Sequence, residues 1–288
     1  MSDFEAWIGR EARSADRLDE ALAARWLATF DLAPPGSASM PQGIHFCLCT
    51  PTAPTRQLGA DGHPARDVPG EDATASFLPP FPMPRRMWAA SSIDFLAPLT
   101  LGSTIERSSR IASIKQKRGS TGPLAFVEIE HETRANNIPC VRENQTLVYR
   151  EAAAPDAPLT PREPGGERFD KKAWDAHTAL TPSTSLLFRY SALTFNSHRI
   201  HYDAPYTRGV ERYRGLVVHG PLIASLLMQL VARELGESAL RRFAFRAVSP
   251  AIAGEVLHLA MRRAGGDLEF GAFSADGREV MSAEGATA

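Results

Sequence analysis

Two histidines and an amide lie close together in the run Tyr190-Ser-Ala-Leu-Thr-Phe-Asn196-Ser-His198-Arg199-Ile-His201-Tyr-Asp203. Imidazole, with an ordinary pKa of about 6.5, can take and return a proton near neutral pH. Shortly after it, Val218-His219-Gly220-Pro221 opens an apolar stretch, residues 222–232, that reads as a helix buried on nearly every side. The Gly220 N–H then belongs to the helix N-terminus, where amides lack partners within the helix and the dipole is positive. A proton-transfer group beside such a donor suits a reaction in which negative charge grows on a carbonyl oxygen. Removing one donor of this kind costs ~3–4 kcal/mol.

The elements that must position these groups are less plain. Residues 1–31 read as helix, with Asp16 as cap and Leu18, Leu22, Trp26 and Leu27 near one face. Residues 43–49 look like a short strand, and residues 50–86, rich in proline and glycine, form a long excursion that is either functional or wraps a partner surface. Strands are expected at 88–95, 104–117, 124–134 and 145–150, with a hairpin at 117–122. Residues 151–170 have the composition of a linker. Leu186, Phe188, Tyr190 and Ala192 alternate as a strand that would end at the histidine motif, and Asp203 would cap a short helix with Pro205 in its first turn. Later strands carry Phe243, Phe245 and Ala247, then Leu257, Leu259 and Met261, then residues 268–273 after a Gly265-Gly266 hairpin. The expected class is α+β: curved antiparallel sheet around one long helix in the C-terminal half. No sequence repeat relates the halves.

Composition narrows the function. The 32 basic and 33 acidic residues nearly cancel, so no global field favours nucleic acid. The N-terminus lacks the basic-then-apolar pattern of a secretory signal, and no apolar run approaches the ~18 residues needed to cross a membrane. A cytoplasmic protein without membrane partners is expected. Cys47, Cys49 and Cys140 are too few for a disulfide framework and read as buried strand cysteines. His198 and His201 could ligate a metal by type, but no carboxylate or thiol set near them in sequence completes a site, so none is expected.

The run at 196–203 resembles the signature of the MaoC-like hydratase/dehydratase family of hot-dog proteins, also called the hydratase 2 group: Asp-x-Asn-Pro-aliphatic-His, with Asp two residues on. Asn196 takes the aspartate position, His198 the asparagine, Arg199 the proline, Ile200 the aliphatic, His201 the histidine and Asp203 the trailing aspartate. Val218-His219-Gly220 resembles the family's Ala-His-Gly at the central helix. The first half, with its Pro82-Met-Pro-Arg-Arg-Met-Trp88 and Asp94-Phe-Leu-Ala-Pro98, looks like the degenerate N-terminal domain of two-domain relatives. Relatives acting on dicarboxylic acyl-CoAs, the mesaconyl-C4-CoA and itaconyl-CoA hydratases, carry a similar Phe-Asn-x-His-Arg-Ile-His-Tyr-Asp string.

The resemblance implies a double hot-dog: a degenerate domain at 1–150, a linker at 151–170 and a catalytic domain at 171–288. It implies reversible hydration of an enoyl-CoA without a cofactor, by a homo-oligomer with a dimer favoured. His201 would be the base, Asn196 would hold water and Gly220 would polarise the thioester. An amide at 196 cannot be a base, so Asp203 either orients a histidine and caps a helix or supplies the missing carboxylate. Arg199 would grip a second carboxylate on the acyl chain. Tyr190, His198, His219 and Arg208 would line the substrate, although His198 could face solvent and His219 could be structural. Arg208, Arg212, Arg214, Arg85 and Arg86 either meet CoA phosphates or sit solvated. His45, His131 and His258 are assigned no role, with His258 on the wetter sheet face. Dehydration of 3-hydroxyacyl groups on a carrier protein, or acyl-CoA binding without turnover, are the alternatives.

Overall fold

In the N-terminal half, strands β1 (Glu11–Arg17), β2 (Arg85–Phe95), β3 (Thr104–Gly119), β4 (Gly122–Ala135) and β5 (Ile138–Arg150) form an antiparallel half-sheet. In the C-terminal half, β6 (Ala176–Leu180), β7 (Leu240–Ala247), β8 (Leu257–Ala264), β9 (Asp267–Ser274) and β10 (Glu279–Thr287) form another. The half-sheets join edge to edge through β2 and β7, giving the order β1-β3-β4-β5-β2-β7-β10-β9-β8-β6. Counted from its outer strand, each half runs first, third, fourth, fifth, second. That shared order is a repeat of topology with no trace in the sequence. The computed structural model describes residues 4–65, 76–119 and 122–287.

The α-helices of the described residues are α1 (Glu20–Thr29), α2 (Thr184–Leu193), α3 (Ala204–Gly209) and α4 (Gly220–Leu235), and α1, α2 and α4 share one buried core with strands of both half-sheets. Helix α4 buries Leu222, Ile223, Leu227, Met228, Leu230 and Val231 and packs on β6, β7, β8 and β9 of the C-terminal half-sheet. At about 1.5–3 kcal/mol per fully buried side chain, these residues anchor α4 firmly in the core. Helix α1 presents Leu22, Trp26 and Leu27 to the same core. A second core under β3, β4 and β5 holds Phe4, Trp7, Phe81, Ile111, Val127 and Tyr149. Among the described residues no helix is long and apolar enough to cross a membrane.

Several expectations are corrected. The N-terminal helix covers only residues 20–29 and is capped by Asp19, whose Oδ1 accepts from Leu22 N at 2.7 Å. Asp16 lies in β1 and accepts from Cys49 N at 2.7 Å. Residues 44–47 form a 3-10 turn, not a strand; Gly43 enters it at φ 102°, where a Cβ would come within 3.1 Å of Ser225 Oγ. Cys47 and Cys49 are therefore not strand residues, whereas Cys140 lies on β5; burial pushes the Cys47 thiol up to about 12. Residues 184–193 are helix α2 rather than a strand, because Ser183 caps Leu186 N and Leu187, Tyr190 and Leu193 share a buried stripe. The motif thus follows a helix end. Strands β1, β6 and β10 were not foreseen. The hairpin expected at 117–122 joins β3 to β4, but its tip, residues 120–121, lies outside the described residues, as do residues 66–75 of the long excursion.

Candidate active site

After α2 the chain turns at Phe195, which adopts φ 47°. Asn196 N donates to Ser191 O (2.9 Å), and Asn196 Oδ1 accepts from His198 N (2.9 Å), a local side-chain turn. An aspartate would make the same turn, so the amide keeps the loop geometry and gives up the carboxylate. The 3-10 turn Arg199–His201 then delivers a buried His201.

His201 Nδ1 lies 2.7 Å from the Val217 carbonyl oxygen. Because that oxygen only accepts, Nδ1 carries the proton and Nε2 carries the lone pair. Burial lowers His201 to about 4, against a smaller upward pull from the Val217 bond, so the ring is neutral at pH 7. The His219 ring stacks on it with centroids 3.5 Å apart, and His219 is itself pinned through Nε2 to Ser191 Oγ at 2.9 Å. His219 is the residue before Gly220, so this stack ties the base to the start of α4. The His219 side chain makes no capping bond to the helix. A Cβ built on Gly220 would meet no protein atom within 4 Å. His201, Asn196, His198, His219 and Gly220 all line one cleft of about 1410 Å³, to which both halves of the chain contribute residues.

His63, which sequence reasoning missed, lines this cleft from the N-terminal half, and Asp61, also missed, holds it from the adjoining depression. Asp61 Oδ2 bonds His63 Nδ1 at 2.9 Å, and the His63 ring lies 4.1 Å from that of buried His198, which in turn is 5.5 Å from His201. Burial alone would raise the Asp61 carboxyl; the bond and charge of His63, with a contribution from Arg86, outweigh it and hold Asp61 below its usual range. The loop is fixed on the motif by Ser197 Oγ to Gly62 O (2.5 Å), Arg199 N to Asp61 O (2.9 Å) and Arg199 Nη1 to Ala60 O (2.9 Å). Gly62 sits at φ 87°, where a Cβ would fall 1.9 Å from Ser197 O. The Gly62→Ala variant should therefore displace the loop, at a cost of about 2–3 kcal/mol. Thermal unfolding and kcat measured together check this; wild-type values for both would contradict it. The available signal was an acid and a histidine two residues apart inside a long glycine-containing excursion.

Other assignments move. Arg199 does not face the cleft with a free fork: Nε and Nη2 bond Asp203 Oδ2 at 2.9 and 2.7 Å, and the guanidinium lies 4.0 Å from the Tyr206 ring centre. Asp203 is committed to that pair and to capping α3 through Tyr206 N (3.0 Å), so it neither supplies a catalytic carboxylate nor orients His201. Tyr190 is buried, with ring contacts to Phe30 and His219, and is also among the residues that line the cleft. Arg208 is exposed on α3 and does not line the cleft. Arg214 pairs with Glu255, and Arg212 bonds Ala157 O. His258 is buried, stacked on Phe169 and bonded to His177 at 3.0 Å. A carboxylate does approach the histidines: ligand atoms of Asp61, His63 and His198 lie within 4.8 Å of one another, a set that suits a divalent metal. Asp61 Oδ2 and His63 Nδ1 are, however, bonded to each other.

The architecture is shared with solved structures. A MaoC-like dehydratase from Phytophthora capsici superposes with TM-score 0.71 at 15% identity, over 100% of this chain and 99% of that one. A Mycobacterium tuberculosis protein described as having a double hotdog fold superposes with TM-score 0.57 at 13% identity, over 96% and 95% of the two chains. The fold is thus the double hot-dog of the MaoC-like dehydratases. Residues 43–253 match the family described as hydroxyacyl-thioester dehydratase type 2. The mesaconyl-C(4)-CoA hydratase of Chloroflexus aurantiacus is 39% identical over 98% of this chain and 97% of its own length. The chain belongs to the hydroxyacyl-thioester dehydratase type 2 family.

Proposed function

We propose that this protein reversibly hydrates a short, branched, dicarboxylic enoyl-CoA of the mesaconyl type, in a cleft lined jointly by a unit at residues 1–150 and a unit at residues 171–288 that supplies His201, Asn196 and Gly220. The observation that carries the reading is the tautomer of His201: Nδ1 held on the Val217 carbonyl, Nε2 left as base, beside the uncapped start of α4. The relative that is 39% identical along nearly the whole chain bears the name of that activity.

In the forward direction His201 Nε2 takes a proton from water, and the hydroxyl bonds to the carbon β to the thioester. The π electrons move to the α carbon and thioester oxygen, where the Gly220 N–H stabilises the charge. The imidazolium then returns its proton to the α carbon, so one water is added and no redox partner is needed. With Oδ1 of Asn196 spent on the turn, its amide nitrogen is the donor that holds the water. The carboxylate that the site does hold, Asp61, stands behind His63 and orients it against His198. Gly220 suits its role because a side chain there would gain no packing and would only occupy space.

Run backwards, the same steps dehydrate a 3-hydroxyacyl thioester, the activity for which the family is named. The test is incubation with mesaconyl-C4-CoA, itaconyl-CoA, crotonyl-CoA and 3-hydroxyacyl groups on CoA or carrier protein, with product masses read. Gain of one water by mesaconyl-C4-CoA, faster than by crotonyl-CoA, is expected. A protein that adds or removes water from none of them would end the reading.

A further inference from the structure

The acyl group of mesaconyl-C4-CoA carries its free carboxylate on the same carbon that receives the hydroxyl. A cation that reads that carboxylate must therefore stand beside the histidines, not at the far end of the cleft. Sequence pattern pointed to Arg199, but its fork is taken by Asp203 and its face by Tyr206. Arg85 is buried in a pair with Glu211, Nε to Oε2 at 2.6 Å, and lies over the Tyr213 ring. Arg107 is half-buried on β3 with its guanidinium spent on His45 O at 2.7 Å and Thr133 Oγ1 at 3.2 Å. Arg150 also lines the cleft, but it ends β5 and no site histidine registers its charge.

Arg86 differs from all of these. It is half-buried on β2, lines the cleft with His63, His198 and His201, and also borders the adjoining depression with Asp61. It makes no ion pair with a carboxylate of the described residues. The depression it shares with Asp61 and His63 puts it at the histidine end of the cleft, since the His63 ring lies 4.1 Å from that of His198; its charge is felt at His198 and Asp61 as well. We infer that Arg86 binds the carboxylate on the β carbon of the acyl group and so selects dicarboxylic over monocarboxylic enoyl-CoA substrates. A guanidinium fork matches a carboxylate with two parallel hydrogen bonds, and in a partly desolvated cleft such a pair is among the stronger polar contacts. The inference rests on the proposed hydration of a mesaconyl-type substrate.

The test compares mesaconyl-C4-CoA with 3-methylcrotonyl-CoA, in which a methyl replaces the carboxylate and the CoA is unchanged. The second compound is read as a substrate or, where turnover is slow, as a competitive inhibitor. In Arg86→Met, kcat/KM for mesaconyl-C4-CoA should fall about 100-fold or more, while the value or inhibition constant for 3-methylcrotonyl-CoA changes less than about threefold. Arg86→Lys, which keeps the charge and loses the fork, should fall between and serves if the methionine variant does not fold. Equal losses on both compounds would assign Arg86 to CoA or to the fold and overturn the inference, as would no loss on either. Wild-type protein that hydrates neither compound removes the proposed function itself; hydration without discrimination by the variants removes only the role of Arg86.

Discussion

Replacing His201 by asparagine should lower kcat for hydration of mesaconyl-C4-CoA by about 10²–10⁴-fold, the usual contribution of a positioned proton-transfer group. Asparagine is the informative choice because its side-chain N–H, one bond from Cγ like Nδ1, can still donate to the Val217 carbonyl, which His201 Nδ1 does at 2.7 Å. The stack on His219 and the start of α4 then lose a ring but keep an anchor. KM should change little, since the base acts on water rather than on the thioester. A steady-state comparison at pH 7, with thermal unfolding of both proteins alongside, separates loss of chemistry from loss of fold. A kcat within threefold of wild type would leave His201 without the role assigned to it.

Acid should unfold the protein over a narrow range around pH 5. His45 is lowered to about 3, and His131 and His201 to about 4, in each case first by burial. His198 and His219 are pushed down as well, by burial and then by neighbouring cations and histidines. In the unfolded chain each of these rings would titrate near 6.5. Between about 6.5 and 4 the unfolded state therefore binds more protons than the folded one, and stability falls as pH falls. Each such proton is worth about 1.4 kcal/mol per pH unit, so five together approach ~7 kcal/mol per unit. A folded domain has only about 5–15 kcal/mol to lose. Fluorescence of the buried Trp26, followed from pH 7 to 4 with proton uptake measured by titration, checks this. A cooperative thermal melt persisting at pH 4 would contradict it. Above the transition kcat/KM should show no step near 6.5, because His201 is already unprotonated there.

How much of this was legible beforehand depends on the range over which each contact acts. The apolar run at 222–232 announced α4, and the alternation of Ala125, Val127 and Ile129 announced β4, because in both cases one residue in a few must face a core. The run from Leu186 to Ala192 misled because so few residues fit two periods equally; Ser183 as cap was the deciding signal. Strand β1, Glu-Ala-Arg-Ser-Ala-Asp-Arg, has no apolar face and exists because the edge of β3 offers it backbone partners. Within the site, His201, Asn196 and Gly220 were readable from a local motif, and the structure brings them to one cleft. Asp61 and His63 were not, because the contact joins loops more than a hundred residues apart. The Arg199–Asp203 pair was readable, since an i, i+4 spacing of opposite charges is a standing invitation to a salt bridge.

The account stands on water being added across an enoyl thioester in this cleft, and the incubation with mesaconyl-C4-CoA run in ¹⁸O-labelled water tests that most directly. The predicted result is a CoA thioester heavier than the substrate by one labelled water, with the label on the β carbon. Release of free CoA with label in the acid, or substrate recovered unchanged, would contradict it.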